Sequence, residues 1–556
     1  MAEIIKKQPK VAYFCMEYGL SHELPIYAGG LGVLAGDFLK AAHDLNLPVV
    51  GIGILWRQDY TEQFIGEDGR PYDLYPDYDY SNIKDTGKTV TVRIRGEDVI
   101  CKIRLVDQYA NAPLYLLDTN YPGSPHGWIT NRLYGGTAQD RIAQEMVLGI
   151  GGIRALKALG IEVDVYHFNE GHAVFAGIEL IREKMHGQHM SFVDAWQETR
   201  RQVCFTTHTP VAAGNESHDH GLLQHMEAYN GLNHEQMSRL GGDPFNMTAA
   251  ALRLSTVANA VSKLHGQTAR SMWKEVRDAA PIISITNGVH TPTWQADDIK
   301  EAFERGEDLW EPHMRHKKEL LAYIKEQTGN ELNPDALLVG FARRAAAYKR
   351  SDLIFRNAEV IEPLLKEGKI QLVFSGKAHP RDTLGKEIIT DLVKMDRKYS
   401  NSVVFLENYN MNIARLLVRG SDVWLNNPKR PLEASGTSGM KAAMNGVLNV
   451  SVVDGWVAEG CQHGVSGWLI CTVCKEPLTD INEDELDVQN LYRVLFDEVI
   501  PTYYNNREKW LEMMRASIDM SHYQFSAQRM IREYYELLYN RTYREQEKKN
   551  REPAMV

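Results

Sequence analysis

The segment most suited to chemistry is Arg430-Pro431-Leu432-Glu433-Ala434-Ser435-Gly436-Thr437-Ser438-Gly439-Met440-Lys441. Small residues and hydroxyls run into a helical stretch (AAMNG), an arrangement that presents backbone N–H groups to a phosphate. A lysine just inside that helix could form a Schiff base with a cofactor whose phosphate the loop holds, or it could be the structural lysine of a phosphate loop. A second segment, Ala342-Arg343-Arg344-Ala345-Ala346-Ala347-Tyr348-Lys349-Arg350, follows a strand-like run and places four cations in eight residues. Arg344 there can bind an oxyanion bidentately and Lys349 can act as a point charge, while the alternative is a solvated basic helix start. Near the N-terminus, Tyr27-Ala28-Gly29-Gly30-Leu31-Gly32 precedes a helix, and its glycines let the backbone approach a ligand closely or simply make a tight turn. His172 (FNEGHA) and His208 (TTHTPV) each follow a strand, as catalysts or as hydrogen-bonded structural residues. His218, His220 and His225 lack a supporting ligand pattern and read as surface residues, so they supply no metal site. Cys461, Cys471, Cys474 and His463 could furnish four zinc ligands, but one CxxC alone is a weak signal, and the reading is reduced loop cysteines with no metal.

These residues need a scaffold that brings strand ends together. A short β-branched run, a polar turn and a longer amphipathic stretch repeat along most of the chain, the pattern of βα units on a parallel sheet. Strands are expected at Val11–Met16, Pro48–Leu55, Val163–Phe168, Val203–Thr207 and Ile282–Thr286, and again at Leu337–Phe341, Ile370–Phe374, Val403–Leu406, Asp422–Leu425 and Val447–Val453. The stretch from Asn287 to about Asp308 reads as a crossover, which sets an N-terminal domain at 1–295, a second at 296–515 and C-terminal helices at 516–556. In open α/β sheets the ligand lies beyond the carboxyl ends of the strands, which is where the segments above fall.

Composition limits the classes available. A chain of 556 residues, 44% hydrophobic and 24% charged, fits a soluble α/β protein of several domains. The net charge of −11 is spread out, which argues against a nucleic-acid surface. No apolar run is long enough for a membrane span, and the N-terminal residues carry no signal-like core, so the expectation is a cytoplasmic protein with reduced cysteines.

The segment EASGTSGMKAAMNG resembles the α-glucan (glycogen, starch, maltodextrin) phosphorylase family, whose cofactor segment reads EASGTGNMK. The likeness extends to VVFLENYN, to FSGKAHP for the family's GGKAAPG, and to RRAAAYKR for its KRIHEYKR. In the first half AGGLGVLAGD, FNEGHA, TTHTPV and ITNGVHTPTW match family segments in the same order, so the motifs cover about residues 11 to 475. The resemblance implies two Rossmann-like domains of the GT-B glycosyltransferase type, an active site in the cleft between them, and final helices that return to the first. It implies pyridoxal 5′-phosphate on Lys441, cradled by Tyr409, Trp294, Thr437, Ser438 and Gly439, with Arg343 standing where the family has lysine. Arg344 and Lys349 would bind substrate phosphate. His208, Asn287, Glu433, Ala434, Ser435 and Gly436 would surround the terminal glucose, with Gly29, Gly30, Leu31 and His172 nearby. The partners implied are an α-glucan and inorganic phosphate, and homo-oligomer formation is left open. The departures are AAAY for IHEY, SGMK for GNMK, and no counterpart of the animal enzymes' N-terminal regulatory extension. A nucleotide-sugar glucan synthase shares the fold and the cationic clamp, so fold alone does not separate the two.

Overall fold

The structure, a computed structural model, describes residues 8–211, 214–470 and 483–551. The chain divides into two compact units, one formed by residues 1–60, 75–286 and 527–556 and the other by 61–74 and 287–526.

The first unit is built on a nine-stranded sheet. From edge to edge the strands are Ile282–Ser284, Val257–Ala260, Val203–Thr207, Val165–Asn169, Val11–Phe14, Val49–Ile54, Leu114–Asp118, Glu97–Val106 and Lys84–Ile94. The first seven run parallel, and the last two continue the edge in antiparallel fashion. The central parallel strands are buried on both faces, so their side chains are almost uniformly apolar and were legible as runs. The two edge strands alternate exposed and buried residues, and the strand Val257–Ala260 is masked by alanines; neither signal stood out in the sequence. The final helix Ala527–Glu533 and its continuation pack on this unit. Tyr534 lies 5.9 Å from the Phe38 ring, and the Tyr539 hydroxyl is 2.8 Å from His167 Nδ1.

The second unit holds a six-stranded, wholly parallel sheet in the order Val403–Leu406, Ile370–Ser375, Leu337–Ala342, Val423–Asn426, Leu448–Val452, Gly467–Ile470. Taken along the chain this is the order 3-2-1-4-5-6 of doubly wound nucleotide-binding sheets, and the order reverses between Leu337–Ala342 and Val423–Asn426. The NGVHTPTW stretch expected as a crossover belongs to this unit. The Trp294 carbonyl accepts from Asn445 Nδ2 at 3.1 Å and Gln295 Nε2 donates to the Met444 carbonyl at 2.6 Å. The division therefore falls at 286/287 rather than 295/296. Helix Arg507–His522 buries Trp510, Met513, Met514 and Ile518 in this unit's core, which moves the return to 526/527. A hairpin of Glu62–Ile65 and Pro71–Leu74, unforeseen in the sequence, also joins this unit.

Candidate functional site

In the second unit the chain ends of the two switch-point strands meet. Arg343, just past Leu337–Ala342, donates from Nη1 to Asn426 Oδ1 at the end of Val423–Asn426 and from Nη2 to Glu433 Oε2. Lys349 Nζ donates to the same carboxylate oxygen. Glu433 is buried, and burial would raise its carboxyl, but the Arg343 and Lys349 charges outweigh this and hold it at about 2. Its own N–H donates to Asp454 Oδ2 at 3.0 Å, and burial pushes Asp454 up to about 6. Arg343 Nε is buried with no acceptor among the described residues, leaving a charged donor open to an anion. Arg344 is exposed and takes no part in this cluster; of the two adjacent arginines it is Arg343 that is drawn inward.

Lys441 lies in the short helix Ser438–Ala443, and its ammonium sits 3.6 Å from the ring centroid of the fully buried Trp294. Trp294 is itself clamped, because Arg419 Nε donates to its carbonyl at 3.1 Å. A buried primary amine on a flat aromatic ring, in the same unit as an unsatisfied guanidinium N–H, fits a planar anionic carbonyl cofactor such as pyridoxal phosphate. Tyr409 is half-buried, and burial pushes its phenol up to about 12, partly opposed by the Arg343 charge. Ser438 Oγ accepts from Trp424 Nε1 at 3.2 Å. A Cβ at Gly439 would lie 2.5 Å from Asn449 Oδ1 and 2.9 Å from the Trp456 ring, so packing of the helix on the sheet is enough to demand glycine there. Gly436 has φ +71°, a turn conformation that suits glycine, and Ser435 is held by its carbonyl accepting from Trp456 N–H at 3.1 Å. Asn287 and Ser435 are buried; Ala434 and Thr437 are half-buried.

In the first unit the helix Gly30–Asp44 begins at Gly29. Cβ atoms built at Gly29 and Gly30 would meet nothing within 4 Å, so this turn faces open space and a ligand can approach its backbone. The turn is held from behind: Glu17 Oε2 accepts from Ala28 N–H at 2.6 Å and Gly29 N–H at 3.1 Å, and Glu17 Oε1 accepts from the Tyr134 hydroxyl at 2.7 Å. Leu31 is half-buried beside it. His208 Nε2 lies 2.7 Å from Asn169 Oδ1, and the Glu170 carboxylate accepts from His208 N–H, from Thr209 Oγ1 at 3.1 Å and from Gly171 N–H at 3.2 Å. The His172 ring is 6.0 Å from that of Tyr134 and its Nε2 is 3.8 Å from Glu216. Burial pushes both His172 and His208 down to about 3, so both are neutral hydrogen-bonding groups at neutral pH.

Behind them lies a network the sequence did not suggest. Arg141 forms two bonds to Glu216, at 2.8 and 3.0 Å, and Glu145 lies 3.0 Å from His218. Burial and the Glu216 charge push Glu145 up to about 7. His218 and His220 are thus buried, contrary to the expectation of surface residues, and His220 bridges Tyr229 Oη and the Gly242 carbonyl; His225 is exposed. Glu17, Glu170 and Asp454 each come shortly after a strand, so the rule that ligand groups follow strand ends would have found them. Asn426, immediately after the strand expected at Asp422–Leu425, falls under the same rule, whereas Tyr134 carried no such signal. Cys461 is a buried free cysteine, and His463 pairs with Glu498 at 2.8 Å. Cys471 and Cys474 lie outside the described residues, among which no group of three or more His, Cys, Asp or Glu could hold a metal ion. No helix among the described residues is long and apolar enough to cross a membrane.

The carbohydrate phosphorylase family model matches residues 295–463, the stretch that holds Arg343, Lys349, Glu433 and Lys441. The maltodextrin phosphorylase of Thermococcus litoralis is 40% identical over 96% of this chain and 71% of its own length. The glycogen phosphorylase of Mycobacterium tuberculosis (strain H37Rv) is 37% identical over 95% and 70%, and that of Aquifex aeolicus 35% identical over 97% and 87%. With relatives of this identity matched along nearly its whole length, the chain belongs to the carbohydrate phosphorylase family.

Proposed function

We propose that the protein is an α-glucan phosphorylase that transfers the terminal α-1,4-linked glucose of glycogen, starch or maltodextrin to inorganic phosphate, releasing α-glucose 1-phosphate. The observation that carries this reading is the convergence of Arg343 and Lys349 on one buried, ionised carboxylate at the switch point, within the unit that also buries Lys441 against Trp294. Neither group belongs to a site that only reads a sugar.

On this reading Lys441, Trp294, Tyr409 and the Thr437–Gly439 backbone would hold pyridoxal phosphate. That cofactor, when bound, supplies a phosphate able to exchange a proton with the substrate phosphate. Arg343, Arg344 and Lys349 orient the substrate phosphate and offset its charge, the electrostatic contribution expected where no carboxylate nucleophile pair is placed. Glu433, ionised at any working pH, keeps the two inner cations apart from solvent and can accept hydrogen bonds from sugar hydroxyls. The open turn at Gly29–Leu31 lets backbone come close to sugar or phosphate, and the neutral His208 and His172 serve as hydrogen-bond partners rather than proton donors in the neutral range. Asn287, Ala434, Ser435 and Gly436 line the glucose.

The test is phosphate-dependent release of glucose 1-phosphate from maltodextrin, combined with borohydride reduction and peptide mapping. The expected label is on Lys441. Activity that requires a nucleotide sugar, or a label absent from Lys441, refutes the reading.

A further inference from the structure

The hairpin Glu62–Leu74 packs in the second unit although most of the first unit's chain separates it from the rest of that unit. On its first strand, opposite Asp73, is Gln63, 3% exposed. The side-chain amide of Gln63 treats Ala378 as a neighbouring strand would: Ala378 N–H donates to Gln63 Oε1 at 2.9 Å, and Gln63 Nε2 donates to the Ala378 carbonyl at 3.2 Å. The other Nε2 hydrogen goes to Asp73 Oδ1 at 2.8 Å, and Asp73 is fixed by Thr61 Oγ1 and Lys386 Nζ. The Gln63 backbone carbonyl accepts from Asn408 N–H at 3.0 Å. One buried residue thus joins two loops, those following the strands Ile370–Ser375 and Val403–Leu406.

The first of these loops adjoins site residues and the second carries one. The first runs along the cationic segment, with Ala345 N–H donating to the Lys377 carbonyl at 2.9 Å and Arg343 N–H to the Ser375 carbonyl at 3.2 Å. The approach is close enough that a Cβ at Gly376 would lie 2.2 Å from the Arg343 carbonyl oxygen. In the second loop Asn408, in the left-handed region at φ +50°, immediately precedes Tyr409. Its carbonyl accepts from Asn410 Nδ2 at 3.2 Å, and Asn410 caps the next helix.

We propose that Gln63 is a positioning residue for the phosphate-bearing ligands: it sets the spacing between the Arg343–Ala345 backbone and the Tyr409 turn, and does not merely fill the core. The inference rests on the reading of Arg343 and Tyr409 as ligand contacts. A residue needed only to dock the hairpin could be apolar, since Arg397 Nη2 also holds the hairpin's tip through the Glu67 carbonyl at 3.1 Å and Lys386 holds Asp73. Satisfying both the N–H and the carbonyl of Ala378 requires a planar group that donates and accepts at once, which among neutral side chains of this reach is the glutamine amide, while the backbone carbonyl of the same residue holds Asn408.

The experiment uses the full chain loaded with pyridoxal phosphate and compares Gln63→Met, Gln63→Glu and Arg397→Ala. Three quantities are read: the unfolding midpoint, the rate at which the near-ultraviolet cofactor band is lost on dialysis, and KM for inorganic phosphate against KM for maltodextrin. Gln63→Met leaves the Ala378 N–H and carbonyl unsatisfied, and Gln63→Glu sets a carboxylate against Asp73. Each should raise phosphate KM by about fivefold to a hundredfold, the range for an unsatisfied buried polar group. Each should also hasten cofactor loss and leave the glucan KM unchanged. Arg397→Ala should move the midpoint alone. Unchanged phosphate KM and cofactor retention in Gln63→Met, or equal changes in Arg397→Ala, overturn the inference; where Gln63→Met does not fold, the shape-preserving Gln63→Glu decides it. Arg343→Ala and Tyr409→Phe run in parallel. If they too leave phosphate KM and retention unchanged, it is the underlying site reading that fails.

Discussion

Replacing Glu433 with glutamine tests the core of the site by a quantity independent of turnover. Glu433 has an ordinary carboxyl value of 4.5 that falls to about 2 in the folded protein; burial opposes the fall and the Arg343 and Lys349 charges drive it. At 1.36 kcal/mol for each tenfold change, a drop of roughly 2.5 corresponds to about 3 kcal/mol of stability. Loss of one partner from a buried ion cluster is expected to cost a similar amount, about 3–5 kcal/mol, because the remaining charges stay buried. The sign follows from the depressed value. The stabilisation is complete above pH 4.5 and fades as pH falls toward about 2, where the folded carboxylate takes up its proton. Denaturant unfolding followed by tryptophan fluorescence is a suitable assay, since Trp294, Trp310, Trp424, Trp456, Trp468 and Trp510 all belong to the second unit. At pH 7 Glu433→Gln should be about 3 kcal/mol less stable than wild type, and the deficit should shrink steadily below pH 4.5. Inorganic phosphate should stabilise the variant more than the wild type, because two cations have lost their carboxylate and only the folded state gathers them. A deficit below about 0.5 kcal/mol at pH 7, the size of an ordinary surface change, would refute the triad. A deficit that stays constant between pH 6 and pH 3 would do the same.

Two further outcomes separate inner from outer groups. Arg344→Ala should leave stability within about 0.5 kcal/mol, because Arg344 is exposed, yet lower phosphorolysis by on the order of 10²–10³-fold if it meets the substrate phosphate. Arg343→Ala should cost roughly 1–3 kcal/mol of stability by stranding Asn426 and Glu433, and equal stability losses in the two variants would erase the distinction. Tyr539→Phe should cost about 1–3 kcal/mol by leaving His167 Nδ1 unpaired beneath the returning helix. Burial holds His167 at about 3 against 6.5 in an unfolded chain, so stability should decline as pH falls from 6.5 toward 3, and His167→Gln should remove that part of the slope in a pH-resolved unfolding series.

The sequence by itself determined most of the parallel strands, because a strand buried on both faces must be an unbroken apolar run whatever surrounds it, while Leu114–Asp118, Val257–Ala260 and Gly467–Ile470 escaped it. It also placed the segments around Gly29, Arg343, Glu433 and Lys441 at strand or helix ends, since glycines, hydroxyls and clustered cations mark those ends locally. Only the tertiary structure decided which of two adjacent arginines turns inward. The Asn426 and Glu433 oxygens that draw Arg343 in are 83 and 90 residues away, and no local pattern records them. The same holds for Trp294 under the Lys441 ammonium and for the Glu62–Leu74 hairpin, whose partners Ala378 and Asn408 lie more than 300 residues further along. Gly439 shows the reverse case: a motif residue that reads as part of a phosphate loop is required by contact with Asn449 and Trp456. Periodicity and residue type report how a segment meets water and its own backbone; which distant charge or amide meets a given side chain is settled only when a sheet aligns the ends of its own strands.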